Sequence, residues 1–72
     1  MRQFTVVAER DPESGWLVGE VEELPGCFTE APDMPTLRAN LWEAITGYLK
    51  VVEPEAPELT DFVETWHIAA VA

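Results

Sequence analysis

Between Met34 and Val52 the apolar residues recur with the spacing of one helical face, and this limits what the rest of the chain can build. Advancing about 100° per residue, Met34, Leu37, Leu41, Ala44, Ile45, Tyr48, Leu49 and Val52 share a stripe, while Thr36, Glu43 and Lys50 lie opposite. Trp42 falls at the edge of the stripe, where an indole can bury its rings and keep its N–H near water. A helix of roughly 18 residues spans about 27 Å and needs an apolar partner surface of that length. Asp33 is placed to cap it, because its carboxylate can accept from the free amides of the first turn. Pro35 is tolerated there, since those amides lack intrahelical partners. The chain offers one other source of apolar surface, which is a set of short strands.

Residues 3 to 9, QFTVVAE, alternate as a strand, with Phe4, Val6 and Ala8 on one side and Gln3, Thr5, Val7 and Glu9 on the other. Asp11-Pro12-Glu13-Ser14-Gly15 is turn chemistry and predicts a hairpin with a longer loop. The returning strand sets Trp16, Val18 and Glu20 against Leu17, Gly19 and Val21, and either set could face the helix. Glu22 and Glu23 follow, forming with Glu20 a local acidic patch. Leu24-Pro25-Gly26-Cys27 is a turn, with Pro25 fixing one backbone angle and Gly26 free to adopt a positive φ. Cys27 to Glu30 begins a third strand. After the helix, Glu53-Pro54-Glu55-Ala56-Pro57-Glu58 cannot continue it and reads as an extended connection within the domain. The last segment, from Phe62 to Val71, is aromatic and β-branched and suits a final strand. The expected elements are therefore strands at about 2–9, 16–22, 27–31 and 62–71 and a helix at about 34–52. This is an α+β chain with one helix on one sheet.

Leu24, Pro25, Gly26 and Cys27, then Asp33, then Asn40, Glu43, Ala44, Ile45, Tyr48 and Leu49, resemble the pattern of HicB-like antitoxins, small bacterial proteins that neutralise HicA-type toxins. The likeness extends from the first strand to the end of the helix. PG alone is a common turn, but PGC followed at this distance by N-x-x-E-A-I-x-x-Y-L is not generic. Where the family often has a glycine before the helix and acids in its first turn, this chain has Glu30-Ala31-Pro32 and Pro35-Thr36. The resemblance implies a partial ribonuclease H-like arrangement, a four-stranded mixed sheet of order 3-2-1-4 with the last strand beside the first. It also implies a protein partner, a small basic RNase toxin that the domain would bind and occlude. Larger relatives append a DNA-binding domain, and none is expected between Met1 and Ala72. The alternative is an orphan copy of the fold, structural or oligomeric and without a toxin.

Charge bears on the partner. Fourteen acidic against four basic residues give a formal net charge of −10, which repels phosphate and anionic lipid and favours a basic protein. An acidic surface that merely keeps a small protein soluble would have the same composition. Glu20, Glu22, Glu23 and Trp42 are the candidate partner-binding residues. No leader or membrane span is evident, so a cytoplasmic protein is expected, without direct nucleic-acid or membrane binding.

No catalytic, cofactor or metal site is expected. A two-metal nuclease needs carboxylates converging within about 4 Å of shared ions, whereas Glu9, Asp11, Glu20, Glu43, Asp61 and Glu64 fall at strand ends and on the solvated helix face. Cys27 and His67 are the lone thiol and imidazole, on separate strands, and read as structural residues. Trp16, Trp42 and Trp66 read mainly as core, with at least one available to an interface. Gly47 sits within the helix near its exposed side, through close approach of another backbone or through simple tolerance. Finally, the last strand is apolar on both sides and carries neither Lys nor Pro, the usual guards of an edge. A homodimer using Trp66, Ile68 and Ala70 is the expectation.

Overall fold

The structure, a computed structural model, describes residues 2–56 and 62–68. β1 (Arg2–Arg10), β2 (Leu17–Val21), β3 (Phe28–Ala31), α1 (Met34–Val52) and β4 (Phe62–Ile68) follow one another along the chain. The four strands form one sheet of order β3-β2-β1-β4. β1 and β2 pair antiparallel, with Val6 opposite Val21 and Ala8 opposite Gly19. β2 and β3 do the same, with Glu20 opposite Phe28. β4 lies parallel to β1, with Val6 opposite Trp66, and α1 supplies the crossover that a parallel pair requires. This is the α+β architecture expected, a helix on a mixed sheet with the last strand at its edge.

Alternation along the strands decides which side the helix covers. Phe4, Val6 and Ala8 of β1, Leu17 and Val21 of β2, and Ala31 of β3 are buried together with Leu37, Leu41, Ile45 and Leu49 of α1. The ambiguity in β2 is thereby settled: Leu17, Gly19 and Val21 point inward. Gly19 is there because the helix comes close, since a Cβ on it would stand 3.2 Å from Leu41 Cδ1 and 3.3 Å from Leu37 Cδ2. α1 approaches β3 and β2 most closely.

Local chemistry fixes the helix in place. Asp33 caps it, its Oδ1 accepting from the Thr36 N–H at 2.9 Å with Pro35 in the first turn. The Leu24–Cys27 turn closes through the Cys27 N–H to Leu24 O at 2.9 Å, with Gly26 at φ 85. Leu24 and Cys27 bury their side chains, and the Tyr48 hydroxyl donates to Pro25 O at 2.9 Å, tying turn to helix. Asn40 Nδ2 makes a longer contact, 3.5 Å, to Glu30 O on β3. The residues that carry the family resemblance are thus mainly those that dock this turn and β3 against α1. Glu43, exposed on the outer side of the helix, is an exception.

Two expectations need correction, and one open choice is resolved. Val52, placed in the buried stripe, is 52% exposed, because the stripe outruns the sheet beneath it. Trp16, expected mainly in the core, is 44% exposed, since it precedes β2 on the side that the helix does not cover. Gly47 has no backbone pressed against it: a Cβ there would meet nothing within 4 Å, which leaves tolerance as the account.

Two substitutions follow from the packing. Leu41→Ala, under the centre of the helix, is expected to cost about 2–5 kcal/mol. Gly47→Ala, in open space within a helix, is expected to stabilise by about 1 kcal/mol. Urea unfolding of both variants measures the opposed signs, and a neutral Leu41→Ala would contradict the core described.

Candidate functional site

With α1 on one side, no described element covers the other side of the sheet. Pairing register sets its surface. One row crosses from Phe28 through Glu20 and Val7 to His67, and the next from Glu30 through Val18 to Glu9. Thr5 and Thr65 stand in a third row. Acidic and apolar residues alternate across the strands. Val7 and Val18 are half-buried by their neighbours, and Phe28 is 63% exposed.

The sign of charge on this face is uniform. None of the four Lys and Arg residues in the chain falls on it. Arg2 pairs with Glu53 at 3.0 Å and lies over the Phe4 ring, 5.4 Å from its centroid. Arg10 donates to Gly15 O at the hairpin loop. Arg38 pairs with Glu64 at 2.6 Å on the helix side of the sheet, and Lys50 lies in the last turn of α1. Glu9, Glu20 and Glu30 therefore project their field from the open face without an adjacent cation to offset it.

The expected partner-binding residues do not form one cluster. Glu20 lies at the centre of the open face. Glu22 and Glu23 are in the turn after β2, and Trp42 is on α1, across the sheet from Glu20. Glu23 is engaged in the fold: its Oε1 accepts the Thr5 N–H at 2.6 Å, and that backbone bond holds its carboxyl below the usual glutamate range. Glu9, Glu30, Val7, Val18 and Phe28 complete the face, and reading the sequence alone did not assign them this role. Alternation within each strand hinted at the face, but only the cross-strand register assembles it.

Of the expected dimer residues, Trp66 and Ile68 are on the helix side of β4, and Ala70 lies outside the described residues. Trp66 is half-buried against the core, and its indole N–H is out of contact with solvent and without an acceptor among the described residues. Cys27 is buried, which pushes its thiol up. It sits on the helix side at the entry to β3, whereas His67 is on the open face of β4, so the pair is separated by the sheet. Asp61 lies outside the described residues. Among the described residues no group of three or more His, Cys, Asp or Glu is gathered to hold a metal ion, and no helix is long and apolar enough to cross a membrane.

Fold and surface together define a class: a small α+β module that covers one side of a four-stranded sheet with its single helix and leaves an acidic, partly apolar sheet face open. Sequence comparison supplies the family. A UPF0150 protein of Archaeoglobus fulgidus is 43% identical over 49 residues, 68% of this chain and 70% of the relative. A second, from Thermoplasma acidophilum, is 38% identical over 48 residues, 67% of this chain and 68% of the relative. The chain belongs to the UPF0150 family. No family model matches it, and no solved structure does.

The Glu23 bond has a pH signature. A carboxyl whose folded pKa is lowered contributes stability in full above its unfolded value, roughly 4.3, and loses it as pH falls through the folded value. Glu23→Gln is therefore expected to flatten the fall in stability below about pH 4.3. Urea midpoints compared from pH 6 to pH 3 test this, and parallel curves for variant and wild type would contradict it.

Proposed function

We propose that this protein is a HicB-like antitoxin module, which binds a small basic RNase toxin of the HicA type and occludes it. The single observation that most favours this reading is the open sheet face, where Glu9, Glu20 and Glu30 surround Val7, Val18 and Phe28 and every Lys and Arg lies elsewhere. Its chemistry suits a basic protein surface. Carboxylates of one sign speed and orient the approach of a cationic partner, and the exposed phenylalanine is an apolar anchor of the sort that dominates interface energies. Two further supports are the L-P-G-C and N-x-x-E-A-I-x-x-Y-L residues and membership of UPF0150.

The mode of action is steric and electrostatic, without bond chemistry in this chain. Its carboxylates repel an RNA backbone, so the toxin's nucleic-acid surface is the complementary one, and covering it would shut out substrate. The competing reading, an orphan copy of the fold without a toxin, predicts no basic partner.

Co-expression with a basic RNase-like protein encoded beside this one is the direct experiment. Growth rescue and co-purification are expected. Glu20→Lys combined with Glu30→Lys, on an open face where neither carboxylate is needed for folding, is expected to slow association about tenfold or more at low salt. Stopped-flow binding across a salt series reads the effect. Association indifferent both to salt and to this charge reversal would remove the electrostatic mechanism, and failure to recover any basic partner would favour the orphan reading. Incubation of the purified protein with RNA and magnesium or manganese is expected to leave the RNA intact.

A further inference from the structure

We infer that the free edge of β3 takes up an extended, basic segment of a partner protein, added antiparallel as a further strand with its cations on the open face. The inference deepens the antitoxin reading and rests on it only for the partner's being a toxin. Bond directions along β3 carry the argument. The Val21 N–H donates to Cys27 O at 3.0 Å, and in an antiparallel pair such bonded positions recur at every second residue. Thr29 and Ala31, opposite Gly19 and Leu17, therefore aim their amides into the sheet, and Phe28 and Glu30 aim theirs away from it. β3 ends the sheet on that side, so no described strand meets these groups. Glu30 O has a contact from Asn40 Nδ2 at 3.5 Å, long enough for a strand amide to displace it. Such an edge is a template for pairing, and FTEA includes neither Lys nor Pro to guard it.

Charge and shape select the occupant. In an antiparallel addition, the residues that bond to Phe28 and Glu30 set their side chains on the same side as those two, the open face. They prolong the rows that end at Phe28 and Glu30, with Glu20 next in line. A Lys or Arg beside Glu30 meets a carboxylate with no adjacent cation. One beside Phe28 lays its stem and charge against a ring that is 63% exposed. The intervening residues of the new strand fall on the helix side, beside half-buried Thr29 and buried Ala31. There α1 presents Asn40, Ala44 and Gly47 along one flank, and a Cβ on Gly47 would meet nothing within 4 Å. Small apolar side chains have room on that side. The occupant is thus a strand that alternates basic and apolar residues.

A second copy does not suit this edge. Two chains of net charge −10 joined through β3 would lay their Glu30 carboxylates and both acidic faces side by side. The bonds on offer are also few. β3 has four residues, and Pro32, next after Ala31, has no N–H to give. Backbone pairing alone holds so short a strand weakly. The carboxylates of the open face supply the rest, which makes edge and face one surface and restricts it to a partner of opposite sign.

Amide exchange of the full chain, followed by NMR with and without a probe peptide, is the test. The probe is a capped heptapeptide of alternating Lys and Val whose Val amides are N-methylated, so that it pairs through one edge and does not stack on itself. Exchange at Phe28 and Glu30 is expected to slow severalfold at saturating peptide, with Thr29, Ala31 and the amides of β4 unchanged. Glu30→Gln should raise the Kd of the peptide about threefold. Glu30→Pro removes the same charge and the outward N–H as well, and should raise it about tenfold beyond that. Proline is tolerated at an edge where the N–H faces solvent, and the wild-type exchange pattern stands without either variant. Exchange at Phe28 and Glu30 indifferent to the peptide would overturn the inference, as would an equal Kd for the two variants. Slowing of the same two amides with protein concentration alone would assign the edge to a second copy and overturn it too. The antitoxin reading fails separately, on the absence of any basic partner; a toxin that co-purifies while the peptide leaves the edge amides unprotected would remove this docking mode alone.

Discussion

One helix can shield only one side of a sheet, and most of what distinguishes this small protein follows from that. The Leu37, Leu41, Ile45 and Leu49 stripe meets Phe4, Val6, Ala8, Leu17 and Val21, and the contact is close enough that β2 carries a glycine beneath the two leucines. A chain of 72 residues has little other apolar area to spend. Stability is thus concentrated in a single layer. The remaining sheet surface is released from packing duty and is free to carry charge.

The family pattern and the candidate interface occupy different parts of the molecule. Leu24, Gly26, Cys27, Asp33 and Tyr48 close a turn, cap a helix and tie the two together, so the resemblance they carry marks a fold. Glu9, Glu20, Glu30 and Phe28 take no part in those contacts and face outward. A resemblance carried by the first set is therefore strong on architecture and quiet on the partner, whose recognition depends on residues that the fold leaves free to vary.

The same division explains what could be read in advance. The helix was legible because its stripe, its Asp33 cap and its proline all agree, and the sheet order followed from the resemblance and from the crossover that a parallel last strand needs. β2 could not be oriented, since Trp16-Val18-Glu20 and Leu17-Gly19-Val21 are about equally apolar. What decides it is the space under Leu37 and Leu41, which no local pattern encodes. Val52 and Trp16 are more exposed than their local patterns suggest, because burial depends on which side the opposing surface lies and how far it extends. The acidic face was visible only as net charge, as its members come from three strands whose register is a tertiary fact. Glu23 is an exposed acid whose carboxylate also closes a backbone bond with Thr5, eighteen residues away in sequence, a contact that no local pattern encodes.

The parallel pairing of β1 with β4 joins opposite ends of the chain, Val6 against Trp66. Contacts between such distant residues carry the greatest loop-closure entropy and belong to the slow part of folding, whereas the β1–β2 hairpin and α1 rest on nearer ones. The order of events is consequently built into the topology. β4 has the longest loop to close, and the surface it joins is the one formed by the hairpin, the third strand and the helix. During synthesis this has a further effect: a nascent chain still lacking β4 offers the bare edge of β1, whose backbone stays unpaired on that side until β4 has emerged.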